Sequence, residues 1–135
     1  MIYITRKEHF NAAHKLFNSA WDEEKNDAVF GKCANKNWHG HNYDLFVTVK
    51  GEINPDTGFV VNLKDLSKLI KVDVVEVLDH KNLNLDVKSM YEMPSTENVA
   101  IFIWDISSPK IKAMGAELHC IKLFETESNY VEYYG

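Results

Sequence analysis

The sequence contains few of the residues that characterise secreted, fibrous or disordered proteins. Among its 135 residues are only two cysteines, three prolines and six glycines. Because proline and glycine are scarce and 45% of the residues are apolar, the chain is neither collagen-like nor disordered. Cys33 and Cys120 allow at most one disulfide, so we expect reduced thiols and not a disulfide-stabilised secreted scaffold.

Long apolar segments and runs of like charge are also missing. No stretch approaches the ~18 consecutive apolar residues of a membrane span, and the first residues alternate in polarity instead of forming a basic leader with an apolar block. The net charge is −5, from 20 acidic and 15 basic residues. A surface that binds nucleic acids normally carries a basic patch. We therefore expect a soluble, cytoplasmic protein that binds neither membranes nor nucleic acids.

The hydrophobic pattern predicts one α+β domain over residues 1–135, a length that a single core can organise. Alternation of apolar and polar residues predicts strands at 2–10, 42–50, 117–124 and about 130–134. With two helices between the strand pairs, the predicted order is ββααββ. This order indicates an antiparallel four-stranded sheet with both helices on one face.

Two capping signals mark the predicted helices. Asn62 and Ser95 are typical N-cap residues, and Ser107-Ser108-Pro109 should end the second helix. The remaining segments, 11–41 and 78–94, are predicted loops. The first helix has an apolar face formed by Leu63, Leu66, Leu69, Ile70, Val74 and Val77.

The long predicted loop before residue 42 contains the residues best suited to chemistry, because compact domains seldom keep such segments without a function. His39 and His41 should point to the same side of the backbone at the start of a strand. His14 follows the first strand, and pairing of the two strands would bring a third imidazole close. Three neutral imidazoles with a fourth position open are the ligand set of a catalytic Zn2+. For each histidine alone, an ordinary polar loop residue is the alternative.

Four further residues carry reactive groups. Cys33 lies between two lysines, and four roles remain open for it: general base, nucleophile, fourth zinc ligand or small buried residue. Asp79 and His80 follow the first helix, where the carboxylate either orients the imidazole or both residues terminate the helix. Glu125 emerges from a predicted core strand, and it is either exposed or paired with the N–H groups of a flat heterocycle.

These segments together resemble the 6-pyruvoyl-tetrahydropterin synthase family along the whole chain. Several separated motifs in the right order are more specific than any one of them. The resemblance implies the tunnelling fold, in which three subunits join their sheets into a barrel and two trimers stack into a hexamer, with active sites between subunits. The motifs are Phe10-Asn11-Ala12-Ala13-His14, Phe30-Gly31-Lys32-Cys33, His39-Gly40-His41-Asn42-Tyr43, Gly51-Glu52-Ile53, Leu78-Asp79-His80-Lys81-Asn82-Leu83, Ser95-Thr96-Glu97-Asn98-Val99-Ala100, Trp104-Asp105 and Glu125-Thr126.

The resemblance also implies a reaction and a role for each candidate residue. Cys33 would be the general base, and Asp79 and His80 would complete a proton relay with it. Glu125 would anchor the pterin ring, with Thr96 and Glu97 along its pocket. The reaction is a lyase step that converts 7,8-dihydroneopterin triphosphate to 6-pyruvoyl-tetrahydropterin, expels triphosphate and needs no redox cofactor. The implied ligands of Zn2+ are His14, His39 and His41.

Two other functions remain open. The related 6-carboxy-tetrahydropterin synthase of the queuosine pathway acts on the same substrate and expels acetaldehyde. Its members usually have a shorter segment between the cysteine and the first histidine than residues 34–38, which separate Cys33 from His39 here. Asn62 also stands where an acidic residue is expected in that enzyme, so the pyruvoyl activity is favoured. The third hypothesis is a non-catalytic zinc- or pterin-binding module in which Cys33 is a fourth ligand.

Overall fold

The computed structural model describes every residue from Met1 to Gly135 and contains one five-stranded sheet. The strands lie in the spatial order β3-β1-β2-β4-β5, and all neighbouring pairs are antiparallel except β1 and β3. The four predicted strands and their antiparallel pairing are confirmed, while the two-residue β3 is an addition. The strands are β1 (Ile2–His14), β2 (His39–Gly51), β3 (Lys81–Asn82), β4 (Glu117–Phe124) and β5 (Tyr130–Tyr133).

The helices begin where the sequence places the caps. The Asn62 side chain accepts a hydrogen bond from the N–H of Lys64, and Ser95 accepts one from the N–H of Asn98. A π-helical turn, Lys71–Val75, joins the second helix to the third. The helices are α1 (Glu23–Phe30), α2 (Leu63–Ile70), α3 (Glu76–Leu78) and α4 (Thr96–Ala113).

The core lies between one face of the sheet and the helices α2 and α4. Tyr43, Leu45, Val47 and Val49 of β2 are fully buried and alternate with half-buried residues, as a strand covered on one face requires. The outer face of the sheet has no helix on it. The outer edge of β1 is also largely free, because β3 pairs only with Ala12 and Ala13. None of the helices has the length and apolar character needed to cross a membrane.

The prediction of one continuous loop at 11–41 was wrong, because both ends of this segment belong to strands and its middle contains a helix. β1 continues to His14 and β2 begins at His39, where polar residues on both strands conceal the alternation. The middle of this segment forms α1, whose only buried residue is Asn26. Its amide donates hydrogen bonds to the carbonyl oxygens of Asn18 and Asp22. A polar side chain and not an apolar face therefore holds α1, and hydrophobic periodicity cannot reveal such a helix.

Two details of the predicted helices were also wrong. Pro109 does not end α4, which continues to Ala113 because Ile111 in the last turns is buried in the core, while Pro109 itself is exposed. On the predicted apolar face, Leu63 and Val77 are 54% and 38% exposed. The wider π-helical turn between α2 and α3 shifts the later residues around the axis, so Val77 points away from the sheet.

Candidate active site

Three imidazoles meet at one end of the β1–β2 pair. His14 lies directly opposite His39, and His41 lies opposite Ala12, two residues earlier on β1. The period of two along each strand puts all three rings on the core face. Their ring centroids are 4.6 to 5.0 Å apart, and one nitrogen from each ring lies within 4.8 Å of the others. The structure thus brings together the three histidines selected from the sequence.

The carbonyl group of Pro94 fixes the orientation of the most buried ring. His14 is 1% exposed, and its Nδ1 lies 2.7 Å from the carbonyl oxygen of Pro94. Because a carbonyl can only accept, Nδ1 carries the proton and Nε2 is left with a free lone pair. Metal-binding histidines are commonly oriented by such a contact on the other ring nitrogen. Pro94 comes just before the cap of α4, so the start of this helix positions the ligand, a role that the sequence analysis missed.

The electrostatics of the cluster favour neutral imidazoles. Burial lowers the pKa of His14, His39 and His41, and in each case a neighbouring imidazole lowers it further, while the charge of Glu125 opposes the shift. The Nε2 atoms of all three rings are buried without a hydrogen-bond partner, and so is Nδ1 of His39. Unpaired buried nitrogens destabilise a fold unless a ligand uses them. Neutral nitrogen donors at this spacing fit a divalent metal such as Zn2+.

Glu125 lies beside the cluster at the end of β4. Its Oε1 is 3.2 Å from Nε2 of His41 and 3.5 Å from Nε2 of His14, but neither contact has hydrogen-bond geometry. The backbone N–H of Glu125 donates to the carbonyl oxygen of Asn129 in the turn before β5. The backbone of Glu125 is thus fixed, whereas its half-buried carboxylate accepts no hydrogen bond within the chain.

Cys33, Thr96, Glu97 and Glu125 line one cavity of about 280 Å³. Cys33 stands in the 3-10 turn Gly31–Ala34, and its carbonyl oxygen accepts a hydrogen bond of 2.8 Å from the N–H of Leu16, just after His14. Thr96 and Glu97 come from the first turn of α4. Residues that carry a thiol, a hydroxyl and two carboxylates thus line one cavity, and one of them, Glu125, also lies beside the histidine cluster.

Asp79 and His80 form a pair outside the cavity that Cys33 lines. Nδ1 of His80 lies 2.8 Å from Oδ2 of Asp79, and Oδ1 of Asp79 accepts a hydrogen bond from the N–H of Asn11. This N–H lowers the pKa of Asp79, and the contact with His80 lowers it further. His80 is exposed and lines a separate cavity of about 570 Å³, which does not include Cys33. Within one chain, the predicted pair exists, but it does not share the cavity of the thiol.

Tyr43 is a second residue that the sequence analysis missed. It is fully buried on the same face of β2 as His39 and His41, and burial raises its pKa, as the charge of Glu125 also does. Its hydroxyl has no hydrogen-bond partner. The signal was available at the start of the predicted strand 42–50, because Tyr43 has the same parity as His39 and His41, which the sequence analysis placed on one side of the backbone.

Sequence and structure comparisons relate the chain to one protein family over its whole length. The model of the family described as 6-pyruvoyl tetrahydropterin synthase matches residues 3–135. A 6-pyruvoyl tetrahydrobiopterin synthase from Pongo abelii is 46% identical, over 98% of this chain and 90% of its own. A 6-carboxy-5,6,7,8-tetrahydropterin synthase from Bacillus subtilis is 33% identical, over 96% and 83%. The structure of the Caenorhabditis elegans 6-pyruvoyl tetrahydropterin synthase superposes with a TM-score of 0.88 at 34% identity, over 99% of this chain and 95% of its own.

Proposed function

The chain belongs to the 6-pyruvoyl tetrahydropterin synthase family, and from this membership we propose that it is a carbon–oxygen lyase. Its proposed substrate is 7,8-dihydroneopterin triphosphate, and its products are 6-pyruvoyl-tetrahydropterin and triphosphate. The observation that carries the proposal is the placement of Cys33 and Glu125 in one cavity beside three imidazoles whose Nε2 atoms have no hydrogen-bond partner. These groups match a reaction that needs a base, a metal and an anchor for the ring.

His14, His39 and His41 would hold Zn2+ through the nitrogens that lack hydrogen-bond partners. When bound, zinc supplies Lewis acidity that makes the C–H bonds beside a side-chain oxygen easier to deprotonate. The Pro94 carbonyl keeps the proton of His14 on Nδ1, so Nε2 is available at neutral pH. Lowered pKa values serve the same end, because a protonated imidazole cannot bind a metal.

Cys33 would be the general base that removes a proton from the substrate side chain. Cys33 lines the same cavity as Thr96 and Glu97, so a pterin bound there would lie beside this residue. Glu125 would accept hydrogen bonds from the amino group and a ring N–H of the pterin, and two charge-assisted bonds fix the ring in one register. A catalytic thiol must remain reduced, which agrees with two free cysteines and with the proposed cytoplasmic location.

The proton relay through Asp79 and His80 would come from a second copy of the chain. Three observations support this: His80 is exposed, it lines a cavity that excludes Cys33, and β1 leaves most of its outer edge unpaired. Strand edges that lack a partner readily pair with another chain. We therefore propose a homo-oligomer, a hexamer built from two trimers. Light scattering on the purified protein should give the mass of six chains and not the mass of one chain.

Product analysis tests the proposed function directly. The purified zinc-loaded protein is incubated with dihydroneopterin triphosphate, and the pterin products are identified by mass. A pyruvoyl side chain supports the proposal. A carboxy product with acetaldehyde supports the second candidate function, 6-carboxy-tetrahydropterin synthase. The Bacillus subtilis relative has this name, but it is less similar to the chain than the Pongo abelii protein is. An unmodified substrate supports a non-catalytic zinc- or pterin-binding module.

A further inference from the structure

The hydroxyl of Tyr43 is a polar group at the site to which the proposed function assigns no role. Tyr43 has no exposed surface, and its Oη has no hydrogen-bond partner. A buried unpaired hydroxyl destabilises a fold, whereas phenylalanine would fill the same space without this penalty. Local features that weaken a fold occur mainly where function requires them. The partner of Tyr43 should therefore arrive with a ligand.

Packing holds the tyrosine ring in one place. Tyr43 pairs with Phe10 across β1 and β2, and the two rings stack with their centroids 4.9 Å apart at an interplanar angle of 16°. The ring of His41 stands edge-on to Tyr43, with centroids 5.6 Å apart. The phenol can turn its hydrogen but cannot move its oxygen, so a partner must come to it.

Glu125 lies close to this tyrosine, because its Oε1 is 3.2 Å from Nε2 of His41, whose ring centroid is 5.6 Å from that of Tyr43. The register between β2 and β4 ends at the pair Asp44 and Phe124, and continuing it by one residue brings Tyr43 and Glu125 opposite each other. Directly opposite residues have Cβ atoms about 5 Å apart. The Glu125 side chain is 26% exposed and has no donor of its own in the chain. The fixed donor and the movable acceptor are thus neighbours without a bond between them.

We propose that Tyr43 is a positioning residue for Glu125, and that its hydroxyl donates a hydrogen bond to the carboxylate when the carboxylate holds the pterin. The inference rests on the proposed role of Glu125 as the pterin anchor. His14, His39 and His41 would use their Nε2 atoms to hold a metal, so Glu125 would find its hydrogen-bond donors elsewhere. Those donors are the N–H edge of the pterin and the hydroxyl of Tyr43.

Binding of 7,8-dihydroneopterin to the zinc-loaded protein tests this inference without turnover. Tyr43→Phe should weaken binding by about tenfold, the effect of one hydrogen bond to a charged acceptor. In a Glu125→Ala background the same change should alter binding by less than about twofold, because the acceptor is absent. Zinc content should equal that of the wild type. The ligand-free Tyr43→Phe protein should melt at the same temperature as the wild type or higher.

Ser107→Ala is the matched control. Ser107 is also fully buried with an unpaired hydroxyl, but it lies in α4 and lines neither cavity of the site. Its removal should likewise not destabilise the protein, and it should leave dihydroneopterin binding unchanged. The inference is overturned by unchanged binding in Tyr43→Phe, by an equal loss in the Glu125→Ala background, or by loss of zinc. Each of these results leaves the product analysis, and hence the proposed function, unaffected.

Discussion

At the scale of single residues, Cys33 provides the sharpest test of the proposed chemistry. Cys33→Ala should lower turnover by about 10²- to 10⁴-fold, the usual contribution of a general base. Zinc should stay bound, because the thiol lies in the neighbouring cavity and outside the group of three histidines. Metal analysis and product formation on the same sample measure both effects. Cys120→Ala, in a buried position on β4, is the control and should change neither. Full activity in Cys33→Ala, or loss of its zinc, would contradict the base role.

The contact between Asp79 and the N–H of Asn11 predicts a pH-dependent contribution to stability. The pKa of Asp79 is below its ordinary value of 3.8, so the folded protein binds this proton less readily than the unfolded chain does. The stabilisation is therefore present above that value and is lost as the pH falls through the lowered pKa. Asp79→Asn should be less stable than the wild type at about pH 5, and the difference should shrink toward about pH 2.

Urea unfolding of both proteins at equal concentration across this pH range measures the effect. Asp56→Asn, a change in the exposed turn after β2, is the control. A stability difference between Asp79→Asn and the wild type that does not vary with pH would show that the carboxylate is not held in its charged form.

At the scale of elements, Pro109 in α4 is a local feature that tertiary packing overrides. A proline inside a helix removes one backbone hydrogen bond and crowds the preceding turn. Since Pro109 is exposed and Ile111 is buried, Pro109→Ala should keep the packing and restore the missing donor. We expect the free energy of unfolding to rise by about 1 kcal/mol or more. Thermal unfolding measures the change, and Pro55→Ala in the exposed turn after β2 should not raise the melting temperature.

The helices and strands differ in how well the sequence predicts them. The caps Asn62 and Ser95 were correct because capping is a local interaction, and the strands were correct where apolar and polar residues alternate. The predicted end of α4 was wrong, because the burial of Ile111 depends on distant residues. The helix α1 was missed because Asn26 holds it through polar contacts. At the site, the histidine trio followed from strand pairing, whereas the Pro94 carbonyl is contributed by a backbone that no side-chain motif marks.

At the scale of the whole molecule, the residues of the proposed site line two separate cavities of one chain. The three histidines and Glu125 lie together, Cys33 lines the cavity that Glu125 also lines, and the exposed His80 lines a separate cavity. The sheet has one face without helices and an edge largely without a partner strand. A closed oligomer would cover these surfaces and bring the relay of one chain to the thiol of the next. Catalysis would then require the assembly.

Subunit complementation tests this arrangement. Cys33→Ala and His80→Ala chains, each nearly inactive alone, are co-expressed and purified as mixed oligomers. If a site takes Cys33 from one chain and His80 from another, random mixing restores up to about a quarter of the wild-type activity, because one chain pairing in four has both residues intact. Cys33→Ala mixed with Glu125→Ala is the matched control, since these residues share one cavity of the same chain and no pairing restores both. Absence of recovery in the first mixture would contradict a relay shared between chains. Recovery in the control would show that Cys33 and Glu125 act from different chains.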